Sequence, residues 1–292
     1  NNMKLSLGPI LYCWAKSRVY DFYDTIKTTD VDTVYLGEMV CAKRQELLLN
    51  DWLEIGKELQ KHGKEVVLTS LALVDSPSKL LDVKKSVNNG EFIIEANDFS
   101  AINLCVEHQL PFVAGHALNI YNAEALAVML RNGMQRWCFP VELSQSWLQD
   151  IQKECETQGI WQRFEKEILA YGYLPLSYSA RCFTARNVGR DKADCEIACI
   201  HDPSGKAVFT QDDQRIFTMN GIQMQSGLCY NLMNEYSALE SLVDIIRLSP
   251  LDENIIDVIQ QYRSRMLSED YIPHQLTQNE CSGFWTGEAG MR

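Results

Sequence analysis

Short apolar runs alternate with amphipathic stretches along most of the chain, and this alternation is the main structural signal. The runs are bounded by polar or turn-forming residues, which is typical of parallel strands buried on both faces. Eight runs predict strands, at Leu5–Leu11, Thr33–Leu36, Glu65–Ser70, Phe92–Glu95, Phe112–Gly115, Arg136–Val141, Phe164–Ala170 and Val243–Leu248. Most of the intervals between them are long enough for a helix.

The intervals have the period of amphipathic helices, and most follow a residue that is suited to cap a helix. The predicted N-caps are Ser17, Asn50, Ser76, Asn122 and Ser144. Eight strands alternating with helices predict an α/β fold, the (β/α)8 barrel of the TIM type. The alternative is an open doubly wound sheet, but Leu7-Gly8-Pro9 after the first strand is not a glycine-rich nucleotide-binding turn.

The alternation is interrupted once, by an insertion predicted over about residues 171–242, before the last strand. Within this insertion, Asp202–Gly205 predicts a turn and Arg215–Met219 predicts a strand of a β-hairpin. Insertions that follow barrel strands usually lie on the C-terminal face, where barrel enzymes have their active sites. We therefore expect the insertion to contribute to any functional site.

Length and composition fit a single barrel domain over residues 3–292, with Met3 expected to be the native first residue. Hydrophobic residues make up 46% of the chain, enough for a large core. Residues 266–292 predict an irregular tail, in which Cys281–Trp285 is expected to cap the barrel.

The charge and the cysteine content restrict the possible functions. A formal net charge of −12 argues against binding to nucleic acid or to an anionic membrane surface. No apolar run is long enough for a signal peptide or a membrane-spanning helix, so we expect the chain in the reducing cytoplasm. In that compartment ten cysteines indicate buried thiols together with metal or redox chemistry, and not a disulfide framework.

Five of the cysteines are interpreted as core residues. Cys105 and Cys155 fall on the apolar faces of predicted helices, and Cys138 lies inside a predicted strand. Cys229 and Cys281 lie in irregular regions without an evident partner. Unpaired cysteine is among the most frequently buried residue types, so burial is the simplest interpretation of all five.

Cys182, Cys195 and Cys199 differ, because they lie in a polar, loop-like segment without apolar periodicity. Cys195 and Cys199 are four residues apart, so one helical turn would point both thiols the same way. A tetrathiolate site needs a fourth cysteine, and either Cys13 or Cys41 could reach the same barrel face; spacing does not distinguish them. The absence of close Cys-x-x-Cys pairs favours an iron–sulfur cluster over zinc.

Polar residues at the ends of the predicted strands are candidates for catalysis. His116 can transfer a proton, and Arg181 and Arg186 can bind a carboxylate or a cluster sulfur. The catalytic candidates are His116, Glu142 and Arg181, and the other polar residues at this mouth are Glu38, Asn119 and Glu167. The alternative is a hydrogen-bond network that closes the top of the barrel, and it is favoured for the glutamates.

Several longer motifs resemble the collagenase-like peptidases, peptidase family U32. The segment Gly172–Cys182, followed by Cys195 and Cys199, is similar to the core signature of that family. One branch of the family is more closely similar, through Tyr35–Glu38 with Cys41, Gly115–Asn119, Arg136–Ser144 and the tail from Cys281 to Trp285. The resemblance extends from Met3 to this tail.

The resemblance implies a barrel that binds a 4Fe–4S cluster through Cys41, Cys182, Cys195 and Cys199, which leaves Cys13 outside the ligand set. It also implies a heterodimer with a paralogous chain that hydroxylates an aromatic ring without dioxygen in ubiquinone biosynthesis. Prephenate is the expected hydroxyl donor, and no activity is expected of the isolated chain. Such a redox reaction requires a cofactor, because side chains do not carry out redox chemistry of this kind unaided.

Other functions remain alternatives on the sequence. Proteolysis is not expected, because the chain has no His-Glu-x-x-His motif, no Gly-x-Ser-x-Gly motif and no convincing Cys/His pair. A scaffold that binds quinone precursors around a structural cluster or zinc ion is one alternative. RNA hydroxylation, which other branches of the family perform, is another, and the charge of −12 argues against it.

Overall fold

Apolar segments form twelve strands and ten α-helices in the computed structural model, which describes residues 2–289. The strands are β1 (Lys4–Leu7), β2 (Thr33–Leu36), β3 (Glu65–Thr69), β4 (Ile93–Ala96), β5 (Phe112–Ala114), β6 (Met134–Cys138), β7 (Glu165–Tyr178), β8 (Lys206–Phe209), β9 (Arg215–Asn220), β10 (Gln223–Asn231), β11 (Ile245–Leu248) and β12 (Glu280–Cys281). The helices are α1 (Lys16–Ile26), α2 (Leu49–Lys61), α3 (Pro77–Val87), α4 (Phe99–Glu107), α5 (Ala123–Arg131), α6 (Gln145–Thr157), α7 (Phe183–Asn187), α8 (Tyr236–Leu242), α9 (Ile255–Leu267) and α10 (Gly283–Thr286).

Strands β1 to β7 and β11 form a closed parallel barrel. Neighbouring strands pair in chain order from β1 to β7. β11 closes the ring, because Ile245 lies opposite Lys4 of β1 and opposite Glu167 of β7. The predicted (β/α)8 barrel is confirmed, and the open doubly wound sheet is wrong because no edge of this sheet is left unpaired between β11 and β7.

All eight predicted barrel strands are present; β2 has the predicted bounds, and the other seven have shifted ends. β1 ends at Leu7 and not at Leu11, since Gly8-Pro9 follows and proline has no N–H for the ladder. Three predicted N-caps are confirmed, with Ser76, Asn122 and Ser144 each accepting a hydrogen bond from a backbone N–H of the first turn. The other two predicted N-caps, Ser17 and Asn50, are wrong. The residues that precede α1 and α2 are Ala15 and Leu48.

β7 continues beyond the barrel and becomes the first strand of the insertion. Up to Tyr171 it pairs with β11, and from there to Tyr178 it pairs antiparallel with β10. Gly172 stands at this change of partner with φ of +128°, where a Cβ would lie 2.6 Å from the Cβ of Ser249. Only glycine adopts this backbone at so close an approach without strain.

The predicted hairpin is confirmed as β8 and β9, which continue the antiparallel sheet from β10. The predicted turn over Asp202–Gly205 immediately precedes β8, and the Gly205 N–H donates to the Asp202 carbonyl at 3.0 Å. In the tail, α9 ends at Leu267, β12 pairs with β10, and Trp285 is fully buried. Tail residues 290–292 lie outside the described residues.

The five cysteines interpreted as core residues are all buried; they are Cys105, Cys138, Cys155, Cys229 and Cys281. All ten cysteines lie within the described residues, and no disulfide bond joins any of them there. In the same part of the chain, no helix combines the length and the apolar character that crossing a membrane requires.

Candidate functional site

Four cysteines from separate segments line one cavity at the C-terminal end of the barrel. Cys41 follows β2, and Cys182 precedes the first turn of α7. Cys195 and Cys199 lie on the loop that leads to β8. All four line the same cavity, which we call the cysteine cavity. The structure therefore brings together the residues that the sequence resemblance selects.

Backbone groups of the insertion point at two of these sulfurs. The Ala185 N–H donates to Cys182 Sγ and the Ile197 N–H donates to Cys195 Sγ, both at 3.4 Å. Glu196 and Ile197 have left-handed φ values of 49° and 53°. That conformation is unfavourable for a β-branched residue such as Ile197, and here it places the N–H that reaches Cys195.

Three basic side chains, Lys43, Arg44 and Lys192, also line the cysteine cavity. Lys43 Nζ donates to the carbonyls of Lys192 and Ala193, which fixes the backbone of that loop. Arg44 is held by the Leu11 carbonyl at 2.6 Å and by Asn220 Oδ1 at 2.7 Å. Lys192 Nζ and Arg44 Nε are buried, and neither has a hydrogen-bond partner among residues 2–289. The cavity thus contains basic side chains with unused hydrogen-bond donors, one at Arg44 Nε and those of Lys192 Nζ.

Cys13 lies beside the cavity without lining it, and its thiol is a hydrogen-bonding neighbour of Cys199. The hydrogen bond from Cys13, with the charge of Arg44, lowers the pKa of Cys199 to about 6. Burial raises the pKa of Cys41. Burial also raises the pKa of Glu38, to about 7, against the opposing effect of Arg44. The cysteine cavity therefore contains a thiolate that forms readily, at Cys199, and Glu38 lies outside its wall, in the lining of a neighbouring cavity.

The donor set fits a cluster with four thiolate ligands. Across residues 2–289, no group of three or more His, Cys, Asp or Glu side chains is placed so as to hold a single metal ion. A tetrahedral zinc site needs sulfurs that converge on one point at about 2.3 Å. The cysteines of a 4Fe–4S cluster bind four different iron atoms, so they surround a larger group. The four thiols that line one cavity supply the number and the type of ligands that such a cluster requires.

A second group of charged residues lies on the barrel axis. Arg247 of β11 donates from Nε to Glu167 Oε2 at 2.5 Å and from Nη2 to Glu95 Oε2 at 2.6 Å. The Sγ of Cys138 lies between these two carboxylate oxygens, at 3.5 and 3.6 Å. Burial raises the pKa of Glu95, but the contact with Arg247 outweighs it and leaves that pKa low. These charges are buried and paired with each other.

The axial network continues towards the bottom of the barrel. Tyr35 donates to Glu167 Oε1 at 2.9 Å, and the guanidinium of Arg247 lies 3.8 Å from the centre of the Tyr35 ring. Arg136 donates to the Tyr35 hydroxyl at 3.2 Å and pairs with the half-exposed Glu65 at 2.8 Å. The network thus joins six strands, β2, β3, β4, β6, β7 and β11, through side chains that point into the barrel.

A cavity of about 30 Å³, which we call the axial cavity, lies on top of this network and has room for one or two water molecules. His116, Cys138, Glu167 and Arg247 line it together with apolar side chains. His116 Nε2 is 3.0 Å from the Tyr178 hydroxyl, and burial lowers the pKa of His116 to about 4. Near neutral pH this imidazole is therefore uncharged.

Side-chain hydrogen bonds connect the axial cavity with the cysteine cavity. Tyr178 accepts from Gln223 Nε2 at 3.1 Å, and Gln223 Oε1 accepts from Asn220 Nδ2 at 2.9 Å. Asn220 Oδ1 in turn accepts from Arg44, which lines the cysteine cavity. A continuous chain of contacts therefore runs from Arg44 to His116.

A larger cavity, of about 400 Å³, lies at the rim of the barrel between the ends of β2 and β3 and helices α2 and α3. Its walls are mostly apolar and include Leu47 and Trp52. Glu38 and Arg44 form one end, and Arg44 also lines the cysteine cavity. We call this space the rim cavity; its volume lies in the range of small-molecule sites.

The sequence profile of peptidase family U32 matches residues 22–243, about three quarters of the chain. This chain belongs to peptidase family U32. The matched residues include the four cysteines of the cavity, whereas Cys13 precedes them. The predicted family is confirmed, and the finer assignment to one branch of U32 stays a prediction.

Solved structures similar to this U32 chain are barrel enzymes of low sequence identity. DAHP synthase from Thermotoga maritima is 11% identical over 91% of this chain and 69% of its own, with a TM-score of 0.46. Tryptophan synthase from Mycobacterium tuberculosis is 7% identical over 90% of each chain, with a TM-score of 0.42. Dihydropteroate synthase from Xanthomonas albilineans is 8% identical over 92% of this chain and 95% of its own, at 0.40. At such identities and TM-scores, the similarity to these enzymes says nothing about the activity of this chain.

The catalytic candidates from the sequence are not brought together in the U32 barrel. His116 lines the axial cavity, but Glu142 is exposed and accepts a 3.5 Å hydrogen bond from Tyr121. Arg181 and Arg186 are exposed near the insertion, and Asn119 is exposed after β5. Glu167 belongs to the axial network, in agreement with the structural alternative for the glutamates.

Sequence reasoning missed Glu95, Arg247, Tyr178 and Lys192. Two of them had a detectable signal, since Glu95 and Arg247 are charged residues inside otherwise apolar strands. A charge in a strand buried on both faces needs a partner, which is a reason to search for one. Lys192 had no such signal, because lysines are common in polar loops.

Proposed function

We propose that this U32 chain is the iron–sulfur subunit of a heterodimeric, oxygen-independent hydroxylase of ubiquinone biosynthesis. The observation that carries the proposal is a single cavity that combines four thiols with two basic groups, Lys192 Nζ and Arg44 Nε, that have no hydrogen-bond partner among residues 2–289. Thiolates around a cluster provide the negative charge that buried cations require. The proposed ligands of a 4Fe–4S cluster are Cys41, Cys182, Cys195 and Cys199.

When bound, such a cluster supplies one-electron transfer. The chain supplies its position and its environment. The N–H groups of Ala185 and Ile197 orient two sulfurs, and Lys43 holds the loop that carries Lys192. Cys182 is 8% exposed, so water is largely excluded on its side of the site.

The rim cavity is the proposed position of the aromatic substrate. Trp52 and Leu47 offer apolar walls to a ring, and Glu38 and Arg44 offer polar groups at one end. Because Arg44 lines both cavities, a ring bound there would lie next to the proposed cluster. Nearby, His116 Nε2 and the Tyr178 hydroxyl share one hydrogen bond and can hold a proton between them.

The branch assignment rests on the motifs around Cys41, Gly115–Asn119, Arg136–Ser144 and Trp285, which resemble those of the bacterial protein UbiV. UbiV has the paralogue UbiU as its partner. We accordingly propose a cytoplasmic heterodimer of this chain with a UbiU-type protein, and prephenate as the hydroxyl donor. Peptidase activity is not part of the proposal, since the sequence has no recognised protease motif.

Anaerobic purification of the chain, alone and with the UbiU-type partner, tests the proposal. About four iron and four sulfide per chain are expected, with hydroxylation of a ring substrate from prephenate by the pair alone. One equivalent of zinc, with no iron after reconstitution, would contradict the cofactor. Turnover by the single chain would contradict the role as a subunit, and an unchanged quinone content in an anaerobically grown deletion strain would contradict the pathway.

A substitution in the rim cavity tests the position of the substrate. Ser86→Trp places an indole in the cavity at a half-buried position of α3, and it should abolish turnover by the pair while iron content stays normal. Ser146→Trp, at an exposed position of α6, is the matched control. Full turnover by Ser86→Trp would contradict the proposal that the substrate binds in the rim cavity.

A further inference from the structure

Lys192 has an unusual environment for a lysine in a polar loop. Its side chain is 18% exposed, and its Nζ has no hydrogen-bond partner in the part of the chain that the structure describes. The nearest carboxylate, Asp75, lies at 3.8 Å. Lys192 also lines the cysteine cavity. A largely buried ammonium without a hydrogen bond costs free energy, and an ion pair at 3.8 Å offsets only part of it, so a further anion is expected beside Lys192.

The neighbours of Lys192 do not supply that anion. Asp75 is already bonded by Lys79, whose Nζ lies 2.5 Å from Asp75 Oδ1. One carboxylate therefore faces two ammonium groups. Lys43 Nζ bonds the backbone carbonyls of Lys192 and Ala193, which holds the backbone from which the Lys192 side chain extends along the cavity wall. The group that would neutralise Lys192 has to come from the cavity itself.

We propose that Lys192 is an electrostatic positioning residue that sets the reduction potential of the redox group held by the four cysteines. The inference rests on the proposed function, since it requires a cluster in the cavity. Reduction adds one electron, delivered by an external reductant such as dithionite, and makes the thiolate-bound group more negative. A fixed positive charge stabilises the more negative state more strongly, so Lys192 raises the potential.

A reductive titration followed by electron paramagnetic resonance tests the role of Lys192. The full-length chain, loaded with iron and sulfide under anaerobic conditions, is titrated with dithionite in the presence of redox mediators. Lys192→Met removes the charge at similar length and should shift the midpoint potential to a more negative value at unchanged iron content. Lys192→Arg keeps the charge and should stay close to the wild type.

Lys153→Met is the matched control, because it removes one positive charge from the exposed surface of α6. A midpoint potential of Lys192→Met equal to that of Lys153→Met, with normal iron content, overturns the inference and leaves the proposed function intact. A wild-type chain that binds no iron or sulfide overturns the proposed function as well.

Loss of iron from Lys192→Met is also informative, and a second uncharged variant, Lys192→Gln, is included for that case. Iron lost from both uncharged variants and retained by Lys192→Arg supports a requirement for the charge. Iron lost from all three variants overturns the electrostatic role, since the charge is then not what the site needs.

Discussion

The cysteine cavity and the barrel axis are both polar and buried, but they differ in how their charges are satisfied. On the axis, Arg247 is bonded to two carboxylates, and each acidic partner has a second contact. In the cysteine cavity, Lys192 Nζ and Arg44 Nε have no hydrogen-bond partner within residues 2–289. On the axis only Arg136 Nε lacks a hydrogen-bond partner among the described residues of the network, and the central charge of Arg247 is matched by two carboxylates. The charge of Lys192 in the cavity has no such match, which is why we propose a negatively charged group there.

The two regions are also built from different parts of the chain. The axial residues lie on short strands whose positions are fixed by the pairing around the barrel. The cavity residues lie on loops and on the insertion, where backbone contacts such as those of Lys43 set the geometry. The paired charges on the strands are expected to determine stability, and the basic groups on the loops are expected to determine binding.

The largest expected effect is loss of the proposed cluster. Cys41→Ala, Cys182→Ala, Cys195→Ala or Cys199→Ala should each remove most of the iron from anaerobically reconstituted protein, because each removes one of four ligands. Iron and sulfide analysis measures this.

The controls for the cysteine variants are Cys105→Ala and Cys155→Ala, two buried thiols on helices far from the cavity. They should keep their iron and lose a little thermal stability through lost packing. Cys13→Ala should also keep most of the iron; if it loses as much as Cys41→Ala, Cys13 belongs to the ligand set.

The next effect concerns the axis. Arg247→Met leaves Glu95 and Glu167 buried without their cation, which should cost about 3–5 kcal/mol of the free energy of unfolding. Urea denaturation followed by circular dichroism measures the change. Arg18→Met breaks a surface ion pair with Glu253 and should cost about 1 kcal/mol or less. Equal costs for the two variants would mean that the axial network is not a main source of stability.

A smaller effect should appear in the pH dependence. The folded pKa of His116, about 4, lies below its unfolded value of 6.5, mainly because of burial. The folded state therefore favours the neutral imidazole, and its contribution to stability is present above pH 6.5 and lost as the pH falls towards 4. Between pH 7 and 5, the wild type should lose about 2 kcal/mol more than His116→Gln in urea titrations.

His108→Gln, at an exposed position after α4, is the control and should follow the wild type. If His116→Gln and the wild type lose the same free energy over this pH interval, the imidazole is not desolvated in the way that the geometry indicates.

The smallest effect tests whether the two regions are connected. Tyr178→Phe removes the hydroxyl between Gln223 and His116 and should cost about 1 kcal/mol. Tyr121→Phe, whose hydroxyl makes a long bond to the exposed Glu142, should cost less. Iron content should be normal in both variants. A loss of iron in Tyr178→Phe would show that the cavity depends on the hydrogen-bond chain to the axis.

The barrel was predictable because its strands and helices have strong periodic signals and nearly every local feature agrees. The positions at which the strands end were less predictable, as β7 shows. Its apolar run stops near Ala170, but the strand continues to Tyr178 because a second sheet pairs with it. Pairing with a partner that is distant in the sequence leaves no local signal.

The sites were predictable only where residue type restricts chemistry. Three clustered cysteines were evident, but the choice between Cys13 and Cys41 needed a family resemblance, since both thiols reach the same end of the barrel. The partners of Arg247 depend on which side chains meet across a closed barrel, and this follows from strand register and not from spacing. Lys192 is recognisable only through the partners that it lacks.

β7 is both a barrel strand and the first strand of the insertion, and this limits how the insertion can be exchanged. Glu167 on the axis and Tyr178 beside the insertion lie on one continuous strand, so the insertion cannot be deleted or exchanged as a separate unit. A chain break at residue 171 would divide β7, one of the strands that close the barrel by pairing with β11. A hybrid that exchanges the insertion therefore needs junctions before Glu165 and after β11, so that the whole of β7 and its partner strand are kept together.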